Sequence, residues 1–258
     1  MSEGLERLAK DLQGAIENLV LLDAVDSTHA MAGRLIASMA EEEQPLGTTL
    51  ILAARQLAGK GRGDRRWESP KSGLFLSWLA SGIDSETIAR LPLLAAVAAH
   101  AAITGIGVAG ARIKWPNDIL VGGRKLAGII ISARHGEPTW VTVGLGVNLH
   151  SAPVLDDAQA TPPTSVSEYL DGGDPDIWRL QLARSFVRNL NAFIRDPMPA
   201  IEAWRKHLVQ VPGEALQVRL ASGEVVEGTL AEVTPEGYLR VVKGDTERVI
   251  ASGEVVEG

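Results

Sequence analysis

The chain has 258 residues, enough for one large core or for a large domain with a small companion. Because 32 acidic residues outnumber 25 lysines and arginines, giving a net charge of -7, general electrostatic binding to nucleic acid or anionic lipid is not expected, and any phosphate site must be local. The sequence has no cysteine, which excludes disulfides and thiol chemistry and suits a reducing cytoplasm.

The first part of the chain alternates helical and extended patterns. Residues 3–18 have helical charge spacing, strands are predicted over 19–25, 48–54 and 74–79, and Asp26-Ser27-Thr28 predicts the cap of a helix that reaches residue 43. The acidic start lacks the pattern of a secretory signal, so we expect no export. An uncharged stretch at 91–111 is long enough to cross a bilayer. Its Pro92, His100 and glycines favour a core helix instead, which is predicted over 87–103.

The middle of the chain predicts a run of strands at 113–115, 119–121, 126–133 and 140–147, with Gly122-Gly123 as a hairpin turn. After a loop containing Pro162-Pro163, helices at 177–194 and 200–208 close the larger unit. Pro212-Gly213 marks a boundary, and the alternating short strands beyond it predict a small β-barrel. The octapeptide Ala-Ser-Gly-Glu-Val-Val-Glu-Gly occurs in it twice, at 221–228 and 251–258.

The segment 55–67 holds the densest cluster of glycine and positive charge in the chain. Its glycines would let the backbone approach an anion, and its cations would supply charge for a triphosphate or an adenylate: Gly59, Gly61, Gly63, Lys60, Arg62, Arg65 and Arg66. No helical pattern follows the glycines and no Gly-Lys-Ser/Thr occurs, which excludes a dinucleotide fingerprint and a P-loop. A solvated basic loop is the alternative interpretation.

Three polar residues near this loop have both a structural and a functional interpretation. Ser27 and Thr28 are residues that cap helices, and their hydroxyls can also bind a neutral polar head group. Gln56, at a strand end, can donate and accept hydrogen bonds to the same head group, or it can be an ordinary loop residue.

Lys114-Trp115-Pro116-Asn117-Asp118 lies between two predicted strands. Pro116 disfavours helix at Trp115, and the following turn can aim Asp118 into a cleft, where it would bind magnesium, a ribose or an amine; an ordinary turn is the alternative. Lys125 precedes a strand that is apolar on both faces. Its ammonium therefore reaches the rim of the sheet, where it either holds a carboxylate and a phosphate together or snorkels to water.

Strand alternation at 144–148 puts Gly144, Gly146 and Asn148 on one face and Leu145 and Val147 on the other. Glycine weakens a strand, so the stripped face predicts that a ligand or another backbone lies against it. The five histidines have no metal-ligand spacing.

Five motifs, in this order along the chain, resemble those of biotin protein ligases: Asp26-Ser27-Thr28; Gln56 with Gly59-Lys60-Gly61-Arg62 and Trp67; Lys114-Trp115-Pro116-Asn117-Asp118; Lys125-Leu126-Ala127-Gly128; and Gly144-Leu145-Gly146-Val147-Asn148. The resemblance spans residues 19–258 and includes the Ser252-Gly253-Glu254-Val255 ending. It implies an α+β fold: a mixed β-sheet catalytic domain with flanking helices at 1–210, and a small C-terminal SH3-like β-barrel at 211–258.

The resemblance also implies a reaction and its partners. Biotin and ATP, with Mg²⁺, would give biotinyl-5'-AMP and pyrophosphate, and a lysine of a biotin carboxyl carrier protein would then accept the biotinyl group. The implied biotin-binding residues are Ser27, Thr28, His29, Gln56, Lys60, Gly61, Arg62, Lys125, Gly128 and Gly146. The implied ATP-binding residues are Arg62, Arg65, Trp67, Lys114, Asn117, Asp118 and Asn148. Lys125 would be catalytic by neutralising the biotin carboxylate and the α-phosphate, and Asp118 would bind Mg²⁺.

Three residues depart from the family pattern. The family usually has asparagine at the position of His29, arginine at that of Lys60 and glycine at that of Asp64; lysine keeps the charge but loses the arginine fork. Too few residues precede the first strand for the DNA-binding domain of some members, so we expect a monofunctional enzyme that binds neither nucleic acid nor membrane and is compatible with a homodimer. A lipoate or octanoate ligase or transferase of the same fold, and a non-catalytic carrier-binding module, are the alternatives.

Overall fold

The structure is a computed structural model that describes residues 2–42, 47–63, 65–69, 73–154 and 161–256. The helices are α1 Ser2–Asp11, α2 Thr28–Glu42, α3 Ser85–Gly105, α4 Pro175–Arg195 and α5 Met198–His207. The strands are β1 Asn18–Leu22, β2 Thr49–Ala53, β3 Leu74–Ser81, β4 Ala111–Lys114, β5 Asp118–Val121, β6 Arg124–Arg134, β7 Trp140–Val147, β8 Ala215–Arg219, β9 Val225–Val233, β10 Leu239–Lys243, β11 Thr246–Ile250 and β12 Glu254–Val256.

The larger sheet has seven strands in the order β1-β2-β3-β7-β6-β5-β4. Only β1 and β2 pair in parallel, and the other neighbours are antiparallel, so the predicted α+β fold with a mixed sheet is confirmed. Alternation along β2 shows why helices flank both faces: Leu50 and Leu52 enter the main core with α3 and α4, whereas Ile51 packs with α2 on the opposite face.

The apolar helix α3 is long and uncharged enough to cross a membrane by composition. Its central residues, from Leu91 to Ile103, are nevertheless mostly buried in the main core, and the helix packs against α4 and the sheet. The predicted core helix is confirmed. It begins at Ser85, slightly before the predicted start, because the Asp84 side chain accepts a hydrogen bond from Thr87 N and caps the first turn.

Several other bounds differ from those predicted. Strand β1 ends at Leu22 rather than at residue 25, and Val25 makes only an isolated bridge to Gln56. Helix α1 ends at Asp11, well before residue 18. Lys125 lies inside β6 rather than before it. The Gly122-Gly123 turn is confirmed, since both glycines have positive φ values, 57° and 75°, that favour glycine.

The smaller sheet has five antiparallel strands in the order β11-β10-β9-β8-β12. Its position after residue 212 agrees with the sequence, while closure into a barrel and the division at 210/211 stay predictions. Trp115 joins the two sheets: its side chain is 2% exposed, and its indole N–H donates to the Gly237 carbonyl oxygen at 2.9 Å.

The two octapeptide copies flank the same strand. Copy one pairs Val226 with Val218 of β8, and copy two pairs Val255 with Val218 on its other edge. Val226 and Val255 are successive residues of the repeated sequence, so the two registers differ by one residue. A one-residue shift exchanges the faces of a strand, which is why Val226 is buried in one copy and Val255 in the other.

Candidate active site

A cleft of about 860 Å³, including its open mouth, lies on the α2 face of the larger sheet. All the site residues predicted from the sequence line this cleft except Asn148. The tertiary structure therefore brings together motifs that are spread from residue 27 to residue 146.

Hydroxyl and amide groups form one end of the cleft. Ser27 Oγ accepts a hydrogen bond from Ala30 N at 3.4 Å, which is the predicted cap of α2. Thr28 donates its backbone N–H and its hydroxyl to Gln56 Oε1, at 2.9 and 3.2 Å, and its Oγ1 accepts from the buried Ser77 hydroxyl at 3.0 Å. The structural and the functional interpretation of these residues are thus compatible, because the same bonds that hold them also fix their orientation in the cleft.

His29 lies beside this polar end. Its Nε2 is 2.9 Å from Ser132 Oγ, and its buried Nδ1 has no hydrogen-bond partner among the described residues. Burial, together with the charge of Lys60, lowers the pKa of the imidazole to about 4, so the ring is neutral at pH 7. A Cβ at Gly144 would lie 2.7 Å from Ile130 Cγ2 and 3.1 Å from His29 Nδ1, so a side chain there would displace its neighbours.

Two glycines form the floor of the cleft, and Trp67 lies on it. Gly128 of β6 and Gly146 of β7 are directly paired. A Cβ at Gly146 would lie 2.6 Å from Trp67 Cε2, and one at Gly128 would lie 2.8 Å from Trp67 Cζ3. The stripped strand face predicted from the sequence therefore receives an indole ring of the basic loop, because only glycine leaves room for it.

Lys125 Nζ lies in the same cleft as the basic loop. It is 2.8 Å from Asp118 Oδ1 and 5.6 Å from the centroid of a Trp67 ring, within the range of a cation–π contact. The Lys125 side chain is 29% exposed and that of Asp118 is 18% exposed. The Lys125 backbone bonds to residues 162 and 164. This holds the ammonium at the rim of the sheet.

The basic loop is bonded to itself. Gly61 N donates to Arg65 O at 2.8 Å, and Trp67 N donates to Gly59 O at 3.0 Å. A Cβ at Gly59 would overlap the Trp67 carbonyl oxygen, so this glycine permits the close approach of the loop's own backbone. Lys60 is exposed at the mouth. The family departure at Asp64 lies outside the described residues.

Two arginines of the loop contact residues at and just before strand β12 of the smaller sheet. Arg62 Nη1 donates to Asn117 Oδ1 at 3.3 Å and to the Gly253 carbonyl oxygen at 2.9 Å. Arg65 Nη1 forms a 2.8 Å ion pair with Glu254 Oε1. Burial and the neighbouring Arg65 lower the pKa of Arg62, and it stays a cation at neutral pH because ordinary arginine titrates so far above it.

The remaining predicted residues divide into two groups. Lys114 lines the cleft, and its Nζ donates to Thr161 Oγ1 at 3.1 Å. Asn117 lines it too, and its amide donates to the Ile129 carbonyl at 2.6 Å. Asn148 is not among the residues that line the cleft. Its backbone N–H continues the pairing with β6 by donating to the Leu126 carbonyl oxygen at 3.0 Å, and its buried side-chain amide donates to the Thr164 carbonyl oxygen at 2.9 Å. Its role on the nucleotide side of the site stays a prediction.

Sequence reasoning missed four polar residues that belong to this region: Ser77, Ser132, Thr161 and Glu254. Ser77 was detectable in principle, since it is the one hydroxyl within an otherwise apolar strand between residues 74 and 80. Glu254 belongs to the ending that resembles the family, but nothing near it in sequence indicates the site, because its partner Arg65 is 189 residues away along the chain.

Asp118, the carboxylate predicted to bind a metal ion, lines the cleft. No cluster of three or more His, Asp or Glu side chains able to hold a metal occurs in the described ranges. Asp118 Oδ1 is buried, and Lys125 is its ionic partner. A single carboxylate fits a Mg²⁺ ion that is otherwise held by water and substrate phosphates, which is the usual arrangement for this ion.

Known proteins resemble this chain in sequence over most of its length. A biotin--[acetyl-CoA-carboxylase] ligase of Paracoccus denitrificans is 33% identical over 252 residues, which cover 92% of this chain and 100% of the relative. The model of the biotin/lipoate A/B protein ligase family matches residues 22–148. The chain belongs to the biotin/lipoate A/B protein ligase family.

A second member of this family, the biotin--[acetyl-CoA-carboxylase] ligase of Mycobacterium tuberculosis, is 31% identical over 261 residues, covering 97% of this chain and 94% of the relative. Among solved structures, the biotin protein ligase of Aquifex aeolicus in complex with biotin and ATP superposes with a TM-score of 0.73 at 24% identity, covering 93% of this chain and 97% of that one. This likeness extends the family fold to nearly the whole chain.

Proposed function

We propose that the chain is an ATP-dependent biotin–protein ligase. The observation that carries the proposal is that the Lys125 ammonium lies in one cleft with the arginines of the basic loop and with the hydroxyl and amide groups at the start of α2. Two relatives aligned over nearly the whole chain have this activity in their names. The substrates are biotin and ATP, and the final acceptor is a lysine of a biotin carboxyl carrier protein.

The first step joins the two substrates. A biotin carboxylate oxygen attacks the α-phosphorus of ATP and pyrophosphate leaves, giving biotinyl-5'-AMP. Two anions must approach each other for this bond to form, and a fixed cation between them lowers the barrier. Lys125 supplies that cation, and its backbone bonds on both sides keep it oriented before the substrates bind.

The second step transfers the acyl group. The neutral ε-amine of the carrier lysine attacks the acyl carbon of biotinyl-5'-AMP, AMP leaves with the electron pair of the broken C–O bond, and the nitrogen releases one proton to solvent as the amide forms. No covalent enzyme intermediate is required, which agrees with the absence of cysteine from the sequence.

The polar end of the cleft would bind the neutral ureido ring of biotin. Ser27, Thr28, His29 and Gln56 converge there, and the His29 Nδ1 atom has no other hydrogen-bond partner among the described residues. Gly128 and Gly146 would leave room for the ligand and for Trp67 on the floor. Lys60, Gly61 and Arg62 would close over the adenylate.

The opposite end would bind the nucleotide. Arg65, Lys114 and Asn117 line it together with Trp67, whose flat ring suits contact with the ligand. Mg²⁺ would accompany the ATP phosphates and neutralise part of their charge. Asp118 is the carboxylate that would hold it, since its Oδ1 atom is buried at the cleft wall.

Biotin-dependent ATP–pyrophosphate exchange tests the proposal and the role of Lys125 together. The wild type should catalyse exchange, and Lys125→Ala should abolish it while keeping its melting temperature near the wild-type value. Lys243→Ala, which removes an exposed lysine of the smaller sheet, is the matched control. Near-normal exchange by Lys125→Ala would refute the role, and no exchange by the wild type would favour a non-catalytic carrier-binding module.

Thermal shift separates the substrate classes. With ATP present, biotin should raise the melting temperature, because a ligand that binds only the folded state stabilises it. A shift with lipoate or octanoate instead would favour the ligase or transferase alternative.

We expect the enzyme to act in the cytoplasm and not to bind DNA, which a gel shift with operator DNA would test. A dimer could pair through the edge strand β1, and sedimentation at several concentrations would detect it.

A further inference from the structure

The two octapeptide copies place the same glutamate in two different environments. Glu224 of the first copy forms an ion pair with Arg248 inside the smaller sheet. Glu254 of the second copy forms its ion pair with Arg65 of the basic loop. The two glutamates are 50% and 48% exposed, so they differ in partner and not in local sequence or solvation.

The contact of Glu254 is part of a larger junction. The adjacent Gly253 carbonyl oxygen accepts from Arg62 at 2.9 Å, and Arg62 also contacts Asn117 at the cleft wall. Two neighbouring residues of the smaller sheet therefore hold two arginines of one loop. Strand β12 pairs with β8, so the junction is anchored in the sheet.

The charge of Glu254 needs an explanation. Glu254 lines the cleft, where it adds a negative charge to a site otherwise rich in arginine and lysine. A carboxylate there repels phosphate, so it would lower nucleotide affinity unless it also positions a group that binds the nucleotide. Its 2.8 Å ion pair with Arg65 gives it a way to orient that guanidinium.

We infer that Glu254 is a positioning residue that latches the basic loop over the cleft through Arg65, so that the smaller sheet controls how tightly the nucleotide and the adenylate are held. The inference rests on the proposed function and deepens it. Gly253 contributes through its carbonyl oxygen, and a side chain there would lie 2.7 Å from Val218 Cγ1. The close packing of Gly253 on β8 thus sets the position of the latch.

The matched pair of variants is Glu254→Gln and Glu224→Gln, each made in the full chain. Glu254→Gln should raise the KM for ATP and shorten the lifetime of bound adenylate by roughly two- to fivefold, the range expected for one partly exposed ion pair. The KM for biotin should stay unchanged. Glu224→Gln should resemble the wild type, and Glu254→Asp, which keeps the charge, should recover part of the loss.

Limited proteolysis reports on the loop without any catalysis. Trypsin cleaves after lysine and arginine, and the loop offers four such residues between 60 and 66. Cleavage there should be faster in Glu254→Gln than in the wild type or Glu224→Gln, because an unlatched loop opens more often.

Two results would overturn the inference. One is equal cleavage rates and equal KM values for the two glutamine variants. The other is a lower KM for ATP in Glu254→Gln, which would mean that the carboxylate competes with the nucleotide for Arg65. If the wild type catalysed no biotin-dependent exchange, the proposed function would fail separately, and the cleavage rates alone would decide the role of Glu254.

Discussion

Gly146→Ala tests whether the bare floor of the cleft exists to receive Trp67. The new Cβ would lie 2.6 Å from Trp67 Cε2 and 2.9 Å from Trp67 Nε1. Strand β7 cannot retreat, because Gly146 pairs with Phe75 on one side and with Gly128 on the other. The indole must therefore move, and the basic loop moves with it.

The size of the effect follows from the overlap. Carbon atoms in contact are about 3.5–4.0 Å apart, so the ring must shift by about 1 Å. Overpacking of this kind costs about 1–3 kcal/mol. Since about 1.4 kcal/mol corresponds to a factor of ten, we expect nucleotide affinity to fall between roughly fivefold and roughly a hundredfold. Global stability should change little, because the loop can leave the floor without unfolding the sheet.

The assay is the KM for ATP in pyrophosphate exchange, with thermal unfolding as the check on folding. Gly33→Ala is the control: it lies in α2, no atom is within 4 Å of its added Cβ, and it should be neutral or slightly stabilising. In a Trp67→Ala background, Gly146→Ala should have little further effect. An equal penalty with and without Trp67 would refute the steric explanation.

Two further predictions concern stability. His29→Asn should reduce the decrease in unfolding free energy, measured with urea, as the pH falls from 6.5 to 4. The folded imidazole has a pKa of about 4 and the unfolded one titrates near 6.5, so the unfolded state binds the proton first and acid favours unfolding by at most about 1.4 kcal/mol per pH unit. Parallel pH profiles for variant and wild type would contradict this. Trp115→Phe should cost about 1–3 kcal/mol of unfolding free energy by leaving the Gly237 carbonyl without its donor. Denaturant unfolding would measure this against Trp78→Phe, whose indole N–H has no hydrogen-bond partner in the part of the chain that the structure describes, and equal losses in the two would rule out the hydrogen bond as the cause.

Much of the site was predictable because its motifs are local. A helix cap such as Ser27, a turn after Pro116 and a glycine on alternate strand positions each leave a signal within a few residues. The order of these motifs along the chain then identified the family. Asn148 shows the limit of such reasoning, since no local pattern indicates that its buried amide donates to the carbonyl oxygen of Thr164, 16 residues away.

The sequence by itself determined which segments form strands and helices, which residues carry charge, and that one strand face is bare. Other features depended on contacts that no local pattern encodes. Only the tertiary structure decided that Trp67 lies on that face, that Glu254 rather than Glu224 meets the basic loop, and that the repeated octapeptide buries different valines in its two copies. The physical reason is that hydrogen bonding and burial along one strand follow from nearby residues, whereas register and partner choice follow from the packing of segments far apart in the chain.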